Sequence, residues 1–342
     1  MSIDKLRAES ALKLLFMADA LTMPVHWYYN IKDIQHQFPG GIRLFEAAPA
    51  KHPSSIMHLH STSAGGRSNQ QGNIVGDVIL KGRKRLWGQA GIHYHHGMPA
   101  GENTLNAYCA RLMLQHLDGQ AYVTFMTADP PCHPDTYAES FHCGFFANWH
   151  AGKELIQCGA ITHDTSSIGA LALPLLARGI PVTKVQHAAR TQLGYTHPDE
   201  RLSRVCYAYF LLLSKLLLAS TIEEALQLIA DTAASTVNRG FSRLLQAPPK
   251  DDSQVVGGKY SLAYYIDSSW PVVLCLAHKY MREPLQGLLQ NTNLGGENCH
   301  RGAVLGTLLG AASGCQLVLF QRLLHADAIQ AEIEAATQRP GT

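Results

Sequence analysis

The sequence is short of charge, of paired-cysteine motifs and of any unbroken apolar stretch at its start, and each shortage removes a class of protein. Only 16% of its 342 residues are charged and the formal net charge is +2, so no global field draws it to nucleic acid or a membrane surface. A small or neutral partner is expected. Its eight cysteines include no CxxC pair, and most lie in apolar helical runs such as V-C-Y-A-Y-F, which reads as reduced thiols in a cytoplasmic protein. The first ten residues, M-S-I-D-K-L-R-A-E-S, carry charges throughout and lack the apolar core of an export signal. Gly302 to Phe320 holds no charged residue and has about the length that spans a bilayer. Thr307, Ser313, Gln316 and four glycines dilute it, so a buried core helix is expected there and no membrane partner.

Sustained alternation of period two is also missing, which argues against a sheet. What is present is helical spacing. Leu6, Ala11, Leu12, Leu15 and Phe16 mark a first helix, with Ser2 as its cap and Pro24 as its stop. A second follows Thr104, and Thr221, Ile222, Glu223 and Glu224 form the capping box of another. Further helical runs cover 136 to 158, 167 to 178, 199 to 219, 270 to 289 and 301 to 335. The expectation is an all-α fold in a single domain over 1 to 342, with an elaborated loop region over 36 to 100 and a polar tail over 326 to 342. The run Lys81, Arg83, Lys84, Arg85 reads as a solvated face. The histidine-rich run 92 to 99 reads as polar surface that could rim a pocket. Trp270 reads as core.

The most specific segment is L-G-G-E-N-C-H-R-G-A-V-L-G-T-L-L-G-A-A-S-G, 294 to 314. Glu297, Cys299 and His300 stand on a glycine turn just before a helix whose glycines, 302, 306, 310 and 314, recur every four residues. Such glycines share one helical face and admit a second backbone at close range. Polar groups at the helix start face its free N–H donors, a place for an anionic or metal-bound ligand.

This segment resembles the C-terminal signature of the ADP-ribosylglycohydrolase family, which includes the J1-crystallins and selenoprotein J. Three more segments resemble the family in the same order. M-A-D-A-L-T-M-P-V-H, 17 to 26, matches the stretch with an aspartate, here Asp19, and a metal-ligating glutamate seven residues later, here His26. A-G-E-N-T-L-N-A-Y, 100 to 108, falls where the family has threonine and two aspartates before a helix. G-Y-T-H-P-D-E, 194 to 200, resembles the Thr-His segment beside the bound ribose and places His197 there. T-H-D-T-S-S-I-G-A-L-A-L-P, 162 to 174, occupies the place of the loop that embraces ribose and phosphates, which makes His163 and Asp164 substrate-binding candidates; Asp164 reads equally well as a helix cap.

The resemblance implies two magnesium ions, yet the mapped positions read Gly101, Glu102, Asn103, His26, Glu297, Cys299 and His300. Magnesium wants hard oxygen donors, so the pair is expected to be lost. Two readings stay open: one zinc-like ion held among His26, Glu102, Glu297, Cys299 and His300, or no metal at all. The implied function is cleavage of a glycosidic bond at the ribose of a small-molecule or protein-linked ADP-ribosyl substrate, with Glu102, Glu297 and Asn103 carrying the chemistry and Asp19 and His197 holding the ligand. The alternative is a non-catalytic ADP-ribose-binding or crystallin-like protein. Glu102 and Glu297, each between a glycine and an asparagine, are expected to face one pocket.

Overall fold

The centre of the molecule follows from the glycine spacing. In the computed structural model, which describes residues 4–57, 78–160, 173–238, 240–314 and 318–338, the helices run in the order α1 (Lys5–Thr22), α2 (Ile31–Gln37), α3 (Leu105–Gln115), α4 (Gly119–Met126), α5 (Ser140–His150) and α6 (Val182–Thr196). They continue as α7 (Glu200–Leu216), α8 (Ile222–Thr236), α9 (Phe241–Gln246), α10 (Ile266–Tyr280), α11 (Pro284–Leu294), α12 (Asn298–Ser313) and α13 (Ala326–Gln338). Among the described residues there is no strand, only isolated bridges between Lys51 and Ile92 and between Val256 and Tyr260. No helix of the described residues is long and apolar enough to cross a membrane. The all-α, single-domain expectation holds.

Helix α12 packs antiparallel on α1, and both are buried along most of their length. A Cβ added at Gly302 would touch Ala18 at 3.4 Å, one at Gly306 would sit 2.5 Å from the Leu14 carbonyl oxygen, and one at Gly310 would lie 2.5 Å from the Ala11 Cα. No side chain fits there, which is why the spacing is four. Helices α7, α8, α10 and α11 complete the apolar layer around this pair with Phe210, Ile229, Leu274 and Leu288.

Several boundaries differ from the sequence reading. The cap of α1 is Asp4, whose side chain accepts from the Arg7 N–H at 3.2 Å; Ser2 lies outside the described residues. The expected 301 to 335 helix is broken, because Gly314 takes a left-handed φ of 59° and ends α12. The expected polar tail from 326 is instead amphipathic α13, which buries Ala326, Ile329, Ile333 and Ala336 and pins itself to α3 through two 2.8 Å Arg111–Glu332 hydrogen bonds. Of the 36 to 100 loop region, 58 to 77 lie outside the described residues; α2 and a turn of 3-10 helix at Lys84–Leu86 interrupt the rest. Arg83 is no solvated charge, since it donates to the His133 and Asp135 carbonyls. Thr221 does cap α8, accepting from the Glu224 N–H at 3.1 Å, and Glu224 returns the contact to the Ser220 N–H. Trp270 is core, with its indole N–H on Thr236.

Candidate functional site

Two glycines bring the ends of the chain together. Gly295 and Gly296 adopt φ of 69° and 67°, and Cβ atoms there would lie 2.3 Å from the Tyr28 carbonyl oxygen and 2.4 Å from that of Leu262. Freed of side chains, Gly296 exchanges backbone hydrogen bonds with Trp27 and Tyr28 at 2.9 and 2.7 Å. This contact sets Glu297 beside His26 and Trp27. Trp27 itself has a φ of 63°, a conformation bulky residues rarely adopt and one that is retained where surroundings fix it. Arg301, 1% exposed, holds the turn from beneath with hydrogen bonds to Asn291 Oδ1 and the Gly295 carbonyl at 2.7 and 2.8 Å. Burial pulls its pKa down to about 10.

A row of hydrogen bonds leads inward from this turn. Asp135 Oδ1 lies 2.8 Å from His95 Nδ1, His95 Nε2 lies 2.8 Å from His26 Nδ1, and His26 Nε2 lies 2.8 Å from Glu297 Oε1. All four residues are buried. Neutral imidazoles bring one proton each, and three such contacts need three. The row therefore satisfies all its bonds when it holds one extra proton and a single net negative charge. Burial opposes a cation at His95, but the Asp135 carboxylate outweighs it and raises the His95 pKa. Burial and then the His95 charge hold His26 well below the ordinary value. Burial opposes the charged form of Asp135 too, yet His95 brings its pKa down to about 2. Both directions favour the extra proton on His95 over His26, the state in which His26 Nε2 donates to Glu297.

Glu297 Oε2 accepts from the Trp27 indole N–H. Its Oε1 also lies 3.5 Å from His300 Nε2, and that nitrogen is 2.7 Å from Glu139 Oε1. Two carboxylates therefore converge on one imidazole nitrogen. Asn106 donates to Glu139 at 2.6 Å and lies 3.1 Å from His300 Nε2. The start of α3 is held by carboxylates as well. Asp135 accepts from the Leu105 N–H, and Asp19 accepts from the Thr104 N–H and hydroxyl at 2.8 and 2.6 Å, where a helix N-terminus favours negative charge.

The structure separates the residues that the sequence grouped. Among the described residues, His26, Glu297 and His300 form the one set of His, Cys, Asp and Glu whose ligand atoms all lie within 4.8 Å of one another. Glu102 is not in it; it accepts from Tyr108 at 3.1 Å and pairs with His325 at 3.3 Å, against the segment that precedes α13. Gly101 fixes that placement, since a Cβ there would lie 2.7 Å from the Arg322 carbonyl oxygen. Cys299 turns to the other side, accepting from Thr22 at 3.1 Å, and burial pushes its thiol well above the ordinary range. Asn103 gives its amide hydrogens to Asp19 and the Phe16 carbonyl, both at 2.8 Å. Asp19, whose pKa burial raises, is occupied by Asn103 and Thr104. His163 and Asp164 lie outside the described residues.

This donor set does not fit a magnesium pair. Two imidazoles and one carboxylate are too soft and too weakly charged for two hard ions, and the nearby Asp19 carboxylate is committed to Thr104 and Asn103. It is chemically suited to a single ion of the zinc class.

Sequence reasoning missed His95, Asp135 and Glu139. His93 and His95 are buried, not at the surface, because His93 Nε2 contacts the Pro24 carbonyl at 3.1 Å and His95 the row just described. The density of histidine over 92 to 99 was the available signal. Asp135 and Glu139 carried none, lying in an ordinary stretch before α5.

Open space lies next to this cluster. A cavity of about 10 Å³ touches Asp19, Asn106, Cys299 and His300, and one of about 70 Å³ is lined by Asn106, Tyr122, Phe141, His142, Tyr195 and Thr196. Across the end of α6 a larger one of about 360 Å³ is bounded by Arg190, His197 and Arg204. His197 is fully buried, with its ring centroid 4.4 Å from that of Phe141 and its Nδ1 2.9 Å from Thr196 Oγ1.

Comparison with known proteins identifies the fold and the family. A structure described as an ADP-ribosylglycohydrolase-related protein complex superimposes with a TM-score of 0.59 at 14% identity, covering 98% of this chain and 99% of its own; at that identity the likeness concerns the fold. No curated protein matches the sequence. The ADP-ribosylglycohydrolase family model, however, matches residues 2–338, and the chain belongs to that family.

Proposed function

We propose that this protein hydrolyses the bond between the ribose and its acceptor in an ADP-ribosylated substrate, with Glu139 and Glu297 as the working carboxylates. The observation that carries this reading is their convergence on His300 Nε2, at 2.7 and 3.5 Å. Glycoside hydrolysis runs through an oxocarbenium-like state and uses two carboxylates flanking the bond. Glu297 is fully buried and held by His26 and Trp27, which suits a fixed negative charge facing a developing positive one. Glu139 is less enclosed, its side chain 14% exposed, and it shares Asn106 with the flanking cavities. It is the better placed of the two to move a proton to or from water or the leaving group. Arg190 and Arg204 border the cavity of about 360 Å³ and are suited to phosphate oxygens.

The test is release of free ADP-ribose from arginine-, serine- and nucleotide-linked ADP-ribose. Turnover by the wild type should fall by about 10²- to 10⁴-fold in Glu139→Gln or Glu297→Gln, with ADP-ribose binding kept. Glu102→Gln, whose carboxylate pairs with Tyr108 and His325, should cost far less. His197→Ala should weaken binding more than turnover. Binding without any hydrolysis would favour the non-catalytic alternative; neither binding nor hydrolysis at millimolar ADP-ribose would leave the fold alone.

A further inference from the structure

We infer that His26 Nε2, Glu297 Oε1 and His300 Nε2 form a mononuclear site for a zinc-class divalent cation, with His95, Asp135 and Trp27 orienting the ligands from outside. This rests on the hydrolase reading, since it concerns the same cluster, and changes one role in it: with an ion bound, Glu297 acts as a ligand and Glu139 remains the carboxylate that moves a proton. The site does not need turnover to be tested. The spacing supports it. Zinc bonds of about 2.0 to 2.1 Å in a tetrahedron place ligand atoms roughly 3.3 Å apart, and Glu297 Oε1 lies 2.8 Å from His26 Nε2 and 3.5 Å from His300 Nε2.

The outer partners support it independently. A ligating histidine normally passes its second ring nitrogen to a carboxylate or another acceptor, which fixes ring orientation and tautomer. His26 does this through Nδ1 to His95 Nε2, and His95 through Nδ1 to Asp135. With an ion on His26 Nε2, its Nδ1–H donates to His95 and the His95 Nδ1–H to Asp135, so both rings are neutral and every contact keeps one proton. Glu297 is held in the same way, by the Trp27 indole on Oε2, with Oε1 directed at His26 Nε2 and His300 Nε2. The rings of His26 and Trp27 are stacked at 3.8 Å between centroids, which further locks the imidazole plane.

Three protein ligands are the number found at catalytic zinc sites, where water takes a fourth position. A cavity of about 10 Å³ touches His300 from the side of Asp19 and Cys299. Glu139, already within reach of His300 Nε2, then stands outside the ligand set with Asn106.

The experiment uses the full chain without a histidine tag, stripped with a chelator and titrated with Co²⁺, read by its visible ligand-field bands, and with Zn²⁺, read by calorimetry. One equivalent of each should bind, with the strong bands of four- or five-coordinate cobalt, and a large excess of Mg²⁺ should not compete. His26→Ala and Glu297→Gln should abolish the bands. His95→Gln and Asp135→Asn should weaken Zn²⁺ binding by about 10- to 100-fold. X-ray absorption of the zinc-loaded wild type should show two imidazoles and no sulfur, which keeps the test decisive should a variant fail to fold. Binding of less than a tenth of an equivalent, unchanged affinity in the folded ligand variants, a sulfur shell that places Cys299 on the ion, or tight binding of two Mg²⁺ would each overturn the assignment. Zinc bound as expected without hydrolysis would leave this site standing and remove only the hydrolase reading.

Discussion

Asp19 ties two helices together through a single buried carboxylate. Its carboxylate takes three hydrogen bonds from Asn103 and Thr104 and so ties the end of α1 to the start of α3. Because burial raises its pKa, those bonds are what keep a carboxylate acceptable there at all. Asp19→Ala strands several buried donors at once, each costing about 1 to 3 kcal/mol. Urea unfolding of that variant should show a loss of about 3 kcal/mol or more, and a midpoint within error of wild type would mean the donors find other partners. The sequence located Asp19 by resemblance and gave it a ligand. In the folded chain its oxygens face Asn103 and Thr104, because Thr104 turns its hydroxyl inward to α1 and does not cap its own helix.

At the scale of elements, the α1–α12 contact is set by what is missing from α12. A methyl group at Gly306 would overlap the Leu14 carbonyl oxygen, and backbone cannot move aside as a flexible side chain can. Gly306→Ala should therefore destabilise by about 1 to 3 kcal/mol and Gly306→Leu by more, although alanine is the better helix former. Gly194, inside α6 with nothing within 4 Å of an added Cβ, is the control. Gly194→Ala should leave stability unchanged or raise it by up to about 1 kcal/mol, the helix-propensity difference. Equal melting temperatures for Gly306→Leu and wild type would show that the helices separate at no cost. This contact was legible in advance, since a four-residue glycine period has one physical use in a buried helix. The end of α12 was not, because Gly314 continues the same period while its left-handed φ stops the helix.

For the whole molecule, the last helix closes the fold over the start of α3. Ile329 and Ile333 are fully buried, Arg111 holds Glu332, and the segment ahead of α13 covers Gly101 and pairs His325 with Glu102. A chain ending at Leu324 loses two buried isoleucines worth about 3 to 6 kcal/mol together. Its melting temperature should fall by many degrees in a calorimetric scan; an unchanged scan would make α13 an ornament. The sequence by itself determined the helical class, the glycine-faced α12 at the centre and the cap of α8, because local propensity, period and turn chemistry act between residues close in the chain; His26, Glu297 and His300 came as a set from resemblance to the family's motifs. Only the tertiary structure decided that Glu102 faces the C-terminal segment while Glu139 takes the place beside Glu297, and that His95 and Asp135 are buried in line with His26. Those pairings span tens to hundreds of residues, and the backbone approach at Gly101, Gly295 and Gly296 that creates them leaves no mark on composition or period.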